Sequence, residues 1–282
     1  MNKAKVMTMI RKKSEESGVS INTLLLMYFF ERFLVGVSES EYRTSLILKG
    51  GFLLSSMLGI ETRTTMDMDM ALKNRSLDEI TAREIFEGIT SSASSELIQF
   101  EVSSVDEIKI EDKYPGYRIS IIGRMENVRQ PFNVDVATGD PITPSEIEYR
   151  YKSVFDASNE IKVLSYNLET VIAEKLETIV SRKTDNSRSK DFYDLYILLA
   201  LKRTEIDVNK LKLATENTFS YRGTSFSVEE IISDLENIRE DSGFRKRWDT
   251  YCKKNEYVDS LDFDMLISQL ENGIKEIYVD DN

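Results

Sequence analysis

The stretch TRTTMDMDMAL puts Asp67 and Asp69 two residues apart in a segment that alternates polar and apolar side chains. On a strand, alternate side chains share a face, so the two carboxylates project together while Met66, Met68 and Met70 project into the core. Two strand rises separate their Cα atoms by about 6–7 Å, close enough for their oxygens to meet on one divalent cation or on two neighbouring ones. Aspartate is poor strand material, so the pair asks for a reason. Taken alone, a strand with one solvated face explains it as well as a metal does. A second candidate strand, in PFNVDVATGD, puts Asn133 and Asp135 on one face and Phe132, Val134 and Val136 on the other. Asp135 is then a candidate third carboxylate, and Asp140 reads as a turn residue. Three aspartates on two strands suit a two-metal centre for phosphoryl or nucleotidyl transfer.

Composition narrows the chemistry. The chain of 282 residues contains no histidine and a single cysteine, Cys252. Histidine-based nucleophilic and general acid–base catalysis are excluded, as are histidine-bearing and cysteine-rich metal sites. A metal here must be hard and bound by oxygen, which favours Mg²⁺ or Mn²⁺. The net charge of −12 argues against binding nucleic acid through the overall field and leaves room only for a local basic face. The N-terminus has charges where a signal peptide needs an apolar block. The longest apolar stretch, residues 24–35, is broken by Glu31 and Arg32 and is short for a bilayer. A cytoplasmic protein with no membrane partner is the expectation.

Cations occur where phosphates would need them. Lys49-Gly50-Gly51 precedes a helix-like run, so backbone N–H groups there could hold phosphate oxygens, although no P-loop pattern follows and a glycine pair is often only a turn. Lys175 lies in mid-helix among apolar neighbours, and Arg182, Lys183, Arg188 and Lys190 crowd the segment after it. A triphosphate on metal-bound aspartates still needs such cations; a solvated loop with charges favoured by the helix dipole is the plainer reading. Asp191 and Asp194, at i and i+3, face one way. Asp191 is read either as a first-turn charge or as a group orienting Lys175 and Lys190. Near the end, FRKRWDTYCKKNEY interleaves Arg245, Lys246, Arg247, Lys253 and Lys254 with Trp248 and Tyr251. That pattern can track an RNA backbone and stack on unpaired bases, or be a solvated helix around a buried Trp.

The elements that must position these groups fall into two regions. Helices are predicted over residues 1–16, 20–37 and 77–93, the last with Leu77, Ile80 and Ile85 facing one way. A short element at 45–49 leads into a helix ending at Gly59, and strands are predicted at 65–72, 98–110, 117–123 and 131–137. After about residue 160 the strand signal ends. Helices are predicted over 168–182, 191–201, 208–215, 228–240, 243–255 and 261–275. The expectation is an α/β domain over residues 1–160 and a helical domain over 161–282.

Taken together, the order hxLKGG, then TxDxD, then hxVDV resembles the DNA polymerase β-like nucleotidyltransferase superfamily. NLETVIAEKLETIVSR followed by NSRSKDFYDLYILL resembles the C-terminal motifs of AbiEii-type toxins of abortive-infection, toxin–antitoxin systems, with Glu174, Lys175 and Leu176, then Arg188, Lys190, Asp191, Asp194 and Leu195. The likeness covers roughly residues 20–200. It implies an α+β fold with a nucleotidyltransferase-like mixed sheet, flanking helices and a mainly α-helical C-terminal domain. It also implies Mg²⁺ or Mn²⁺ on Asp67, Asp69 and Asp135, catalytic roles for Lys175 and Asp191, and NTP phosphates on Lys49, Gly50, Gly51, Lys175, Arg188 and Lys190. The partners it implies are an NTP, the 3′ end of tRNA as acceptor and a separately encoded antitoxin. A nuclease using the same carboxylates on water, and an NTP-binding protein without turnover, are the alternatives.

Overall fold

Strands whose apolar side chains alternate with polar ones need a helix layer to cover one face, and the apolar helices of the N-terminal half provide it. In the computed structural model, residues 2–108, 116–156, 158–183, 189–258 and 261–279 are described. The chain divides into two compact units, Met1–Gly139 with Glu146–Tyr166, and Asp140–Ser145 with Asn167–Asn282.

The first unit runs α1 (Lys3–Ser17), α2 (Ile21–Glu39), β1 (Leu46–Lys49), α3 (Gly50–Leu58), β2 (Asp67–Leu72), α4 (Glu79–Ala93), β3 (Gln99–Ile108), β4 (Gly116–Met125), β5 (Val128–Ala137), β6 (Ile147–Lys152) and β7 (Glu160–Ser165). All seven strands form one mixed sheet in the order β3-β4-β5-β2-β1-β7-β6. In its centre β2 runs parallel to β5 and antiparallel to β1. With its flanking helices this is the mixed α+β architecture expected from the sequence.

Helix α2 begins at Ser20, whose hydroxyl accepts the Thr23 N–H. It is apolar nearly all round, the mark of a helix surrounded by protein. Its length and composition would also let it cross a membrane, but most of it is buried inside the unit. Phe30 meets Phe52 of α3 and Phe132 of β5 edge to face at 5.1 and 5.3 Å between ring centroids. Phe29 lies so close to Gly123 on β4 that a Cβ there would come within 2.3 Å of the ring.

One charge is buried in that helix. Glu31 is fully buried and accepts from Tyr151 Oη at 3.1 Å, Ser153 Oγ at 2.7 Å and the Val154 N–H at 2.6 Å. Burial pushes its carboxyl above the ordinary value, against the opposing pull of these hydrogen bonds.

Several expectations are corrected. Strand β2 starts at Asp67, and Met66 is 62% exposed instead of in the core; only Met68 and Met70 are buried. Ile80 is 72% exposed because α4 begins at Glu79 and its buried face carries Ala82, Ile85, Phe86 and Ile89. Strands β6 and β7 were not foreseen. Strand β6, IEYRYK, is an edge strand with only Tyr151 buried. In β7 the alternation of Ile161, Val163 and Ser165 is present, but it runs straight into the next helix start and extends the sheet past residue 160. Residues 109–110, the end of the strand predicted over 98–110, lie outside the described residues.

The second unit is helical: α5 (Leu168–Arg182), α6 (Ser189–Leu201), α7 (Val208–Arg222), α8 (Val228–Glu240), α9 (Ser242–Lys254) and α10 (Phe263–Tyr278). Asn167, Asp207, Ser227, Asp241 and Asp262 each cap a helix by accepting the N–H three residues on. Helix α7 passes the predicted end at 215 and stops where Gly223 turns left-handed, φ 74°.

Replacing Glu31 by Ala leaves three donors without their acceptor and should cost about 1–3 kcal/mol in urea denaturation. Because the folded carboxyl titrates above its unfolded value of 4.5, its contribution is complete below that pH and is lost as pH rises through the raised value. The stability of Glu31→Gln relative to wild type should therefore improve with pH above about 4.5; a pH-independent difference would contradict this.

Candidate active site

The apolar side of the central strands carries Met68 and Met70 on β2 and Val134 and Val136 on β5, all buried. Their alternation turns the intervening residues to the other face. Register then sets who meets whom: Lys49 pairs with Asp69, Asp69 with Asp135, and Asp135 with Arg118. One transverse row across β1, β2, β5 and β4 therefore reads Lys–Asp–Asp–Arg, with neighbours about 4.8 Å apart at the backbone. Asp67, two residues along β2, shares this face and lies opposite Asn133, which accepts from Ser120 Oγ at 3.2 Å. The three aspartates of the sequence are thus on one face of two adjacent strands.

The diglycine turn closes over the row. Gly50 has φ 66°, and a Cβ on it would fall 2.0 Å from Asp69 Oδ2, so only glycine fits. The Gly51 N–H donates to that same oxygen at 3.2 Å. An amide proposed for phosphate at the start of α3 is thus engaged by the protein's own carboxylate, which sits where a helix N-terminus favours an anion. The Lys49 ammonium stands 5.3 Å from the Tyr166 ring centroid.

Arg118 was not singled out in the sequence, yet it organises the site. Its Nε and Nη2 donate to the two oxygens of Asp135 at 2.8 and 2.7 Å. Those hydrogen bonds, and then the charges of Asp135, Asp67 and Asp69, raise its pKa further above its ordinary value. As the side chains stand, no group of three or more carboxylate or cysteine side chains among the described residues is placed to hold a metal ion. Asp135 has both oxygens on Arg118, and Asp69 has one on Gly51. The donor set nevertheless suits a hard divalent cation: it is all carboxylate and on one face, and it already draws in a cation of the protein's own.

In the helical unit the expected motif separates into distinct jobs. Lys175 on α5 donates to Asp191 at 2.6 Å and Asp194 at 2.9 Å, both on α6 and both buried. Burial opposes its charge, but the two carboxylates outweigh it and hold the ammonium above its usual pKa. Asp191, expected to be catalytic, is buried and accepts from Lys175, as does Asp194. Glu174 accepts from Arg222 of α7 at 3.3 Å, and the same guanidinium reaches Glu177 at 2.8 Å and Asp140 at 3.3 Å. Asp140 is therefore more than a turn residue. Leu176 and Leu195 are core. Arg188 lies outside the described residues.

The aromatic–basic segment becomes α9, and the structure corrects part of its reading. Trp248 is 2% exposed and its indole N–H donates to the Leu261 carbonyl at 3.1 Å, so it does not stack on a base. Arg245 is held by Asp264 at 2.5 Å. Lys246, Arg247, Tyr251 and Lys254 instead line one concavity together with Lys190; Lys253 is not among the residues around it.

Removing Lys175 alone should be costly. Lys175→Met would leave two buried carboxylates without their cation and should lose about 3–5 kcal/mol in urea denaturation. Adding Asp191→Leu and Asp194→Leu should recover much of the loss. A single variant as stable as wild type would contradict the reading of this triad.

No curated protein matches the chain. Among solved structures, one from H. pylori described as a candidate nucleotidyltransferase superposes with TM-score 0.51 at 13% identity, covering 92% of this chain and 96% of that one. JHP933 from Helicobacter pylori gives 0.53 at 13% identity, covering 92% and 93%. At such identities the likeness is one of fold. The model of the family described as nucleotidyl transferase AbiEii toxin, type IV toxin–antitoxin system, matches residues 32–269. That match spans most of the 282 residues, from α2 to α10, and the chain belongs to the AbiEii nucleotidyltransferase toxin family.

Proposed function

We propose that this toxin transfers a nucleotide from an NTP to an acceptor hydroxyl, with the 3′ end of tRNA as the acceptor, and that Asp67, Asp69 and Asp135 hold the Mg²⁺ or Mn²⁺ on which the reaction depends. The observation that carries the reading is the pairing of Asp69 with Asp135 across parallel strands, on the face shared by Asp67 and beside Gly50-Gly51. A divalent cation bound there would lower the pKa of the acceptor hydroxyl and stabilise the pyrophosphate leaving group, neither of which requires a histidine.

The chain's own groups have defined parts. Arg118 offsets the mutual repulsion of the carboxylates and keeps them together before loading. Gly50 keeps the backbone of the turn against Asp69, where no side chain would fit. Lys49, Gly50 and Lys190 are the proposed phosphate ligands, the Gly51 N–H being taken by Asp69, and Arg188 is retained with them on the sequence motif alone. Lys175 is proposed to offer phosphate its remaining N–H, with Asp191 and Asp194 acting through it by fixing its ammonium. The family implies a separately encoded antitoxin as the partner of this toxin.

Purified protein incubated with labelled NTPs, Mg²⁺ and total RNA should yield lengthened RNA and free pyrophosphate. Shortened fragments would instead mean hydrolysis by the same carboxylates. Asp69→Asn still offers the Gly51 N–H an oxygen acceptor, so the fold should survive while transfer falls by at least about 100-fold. Growth inhibition should vanish with it. An Asp69→Asn variant that remains toxic would contradict the proposal.

A further inference from the structure

In a chain with 49 acidic and 37 basic residues, a concavity whose described charged lining is all basic needs an explanation. Helix α9 divides its side chains by helical period. Phe244 and Trp248 turn inward and are buried, while Lys246, Thr250 and Lys254, four residues apart, share a face with Arg247 and Tyr251. That face and the start of α6, with Lys190, enclose a concavity of about 510 Å³ within the helical unit. Among the described residues, four cations line it and no acid does. Lys246 and Lys254 are exposed and make no ion pair among the described residues. Arg247 is ion-paired with Asp241 at 3.8 Å, and its guanidinium lies 5.1 Å from the Phe244 ring centroid.

From this arrangement we infer that the concavity is a binding site for the phosphodiester backbone of single-stranded RNA. The cationic stripe from Lys246 to Lys254 runs about 12 Å along the helix axis, a length suited to successive phosphates of an extended strand rather than to the bonded phosphates of one nucleotide. Tyr251 puts an aromatic ring on the wall, held by its hydroxyl contact with Tyr257 at 3.0 Å and by Trp248 at 5.7 Å between centroids. The acceptor proposed above supplies the reason for RNA, and to that extent the site rests on the transferase reading. Binding is nevertheless measurable without NTP or divalent cation.

The test is fluorescence anisotropy of a labelled 12-nucleotide single-stranded RNA with the full chain, over a salt series. The double variant Lys246→Ala, Lys254→Ala should bind about tenfold more weakly, and its slope of log affinity against log salt should shrink by about 1.4, two contacts at about 0.7 each. Lys275→Ala, an exposed cation on α10, should bind as wild type does. Equal losses in both variants would reduce the effect to net charge and overturn the site, as would unchanged RNA binding in the double variant. A parallel titration with ATP separates the two phosphate sources: loss of ATP binding with RNA binding intact would also overturn it. Nucleotide addition to a mononucleoside acceptor, which does not require the RNA site, should persist in the double variant if the transferase reading holds. Its absence from wild type as well would count against transfer and leave the RNA result standing.

Discussion

Two carboxylates side by side on adjacent strands repel each other, and the sheet keeps Asp69 and Asp135 so placed only because its register leaves no alternative. Met68, Met70, Val134 and Val136 are buried on the far side. A slip of one residue in either strand would push a carboxylate into that core and expose an apolar side chain. The packing of the methionines and valines therefore positions the acids. Lys49 at one end of the row and Arg118 at the other offset their charge, and Asp67 leaves the face with an excess of negative charge. That excess, beside a turn where only glycine fits, is the feature on which the proposed cation and phosphate site rests.

The helical unit uses its buried charges differently. Lys175 with Asp191 and Asp194, and Arg222 with Glu174, Glu177 and Asp140, are clusters in which each cation meets more than one acid. Clusters of this kind do not add stability so much as demand completeness, because removal of one partner strands the others in a poorly solvated place. They also fix orientation. The ammonium of Lys175 cannot wander, and whatever meets its remaining N–H meets it from one direction.

Much of this was legible in the residues, for definite reasons. The DMDM and NVDV alternations fixed which side chains share a face, and the absence of histidine limited the chemistry to oxygen donors. Arg118 was missed because a lone arginine on a strand looks like any solvated cation. A signal for it existed: β4 and β5 are joined by the two-residue turn Glu126-Asn127, and counting back from the Met125–Val128 pair sets Arg118 opposite Asp135. Lys175 was visible as a cation in mid-helix, but its two acceptors lie on the next helix, and only packing could show that both face it. In FRKRWDTYCKK the composition suggested one basic–aromatic face. The helical period splits it, sending Trp248 inward and Arg245 to Asp264. Strand β6 left little trace because an edge strand buries too little to need apolar alternation.

The central claim is that the three aspartates are a divalent-cation site that Arg118 holds together in the cation's absence. Anomalous diffraction from crystals grown with Mn²⁺ tests it most directly. The account predicts a manganese peak bonded to Asp69 and Asp135, with Asp67 facing it and the Arg118 guanidinium turned away from Asp135. An ion bound elsewhere, or the Arg118–Asp135 pair unchanged at saturating Mn²⁺, would contradict it.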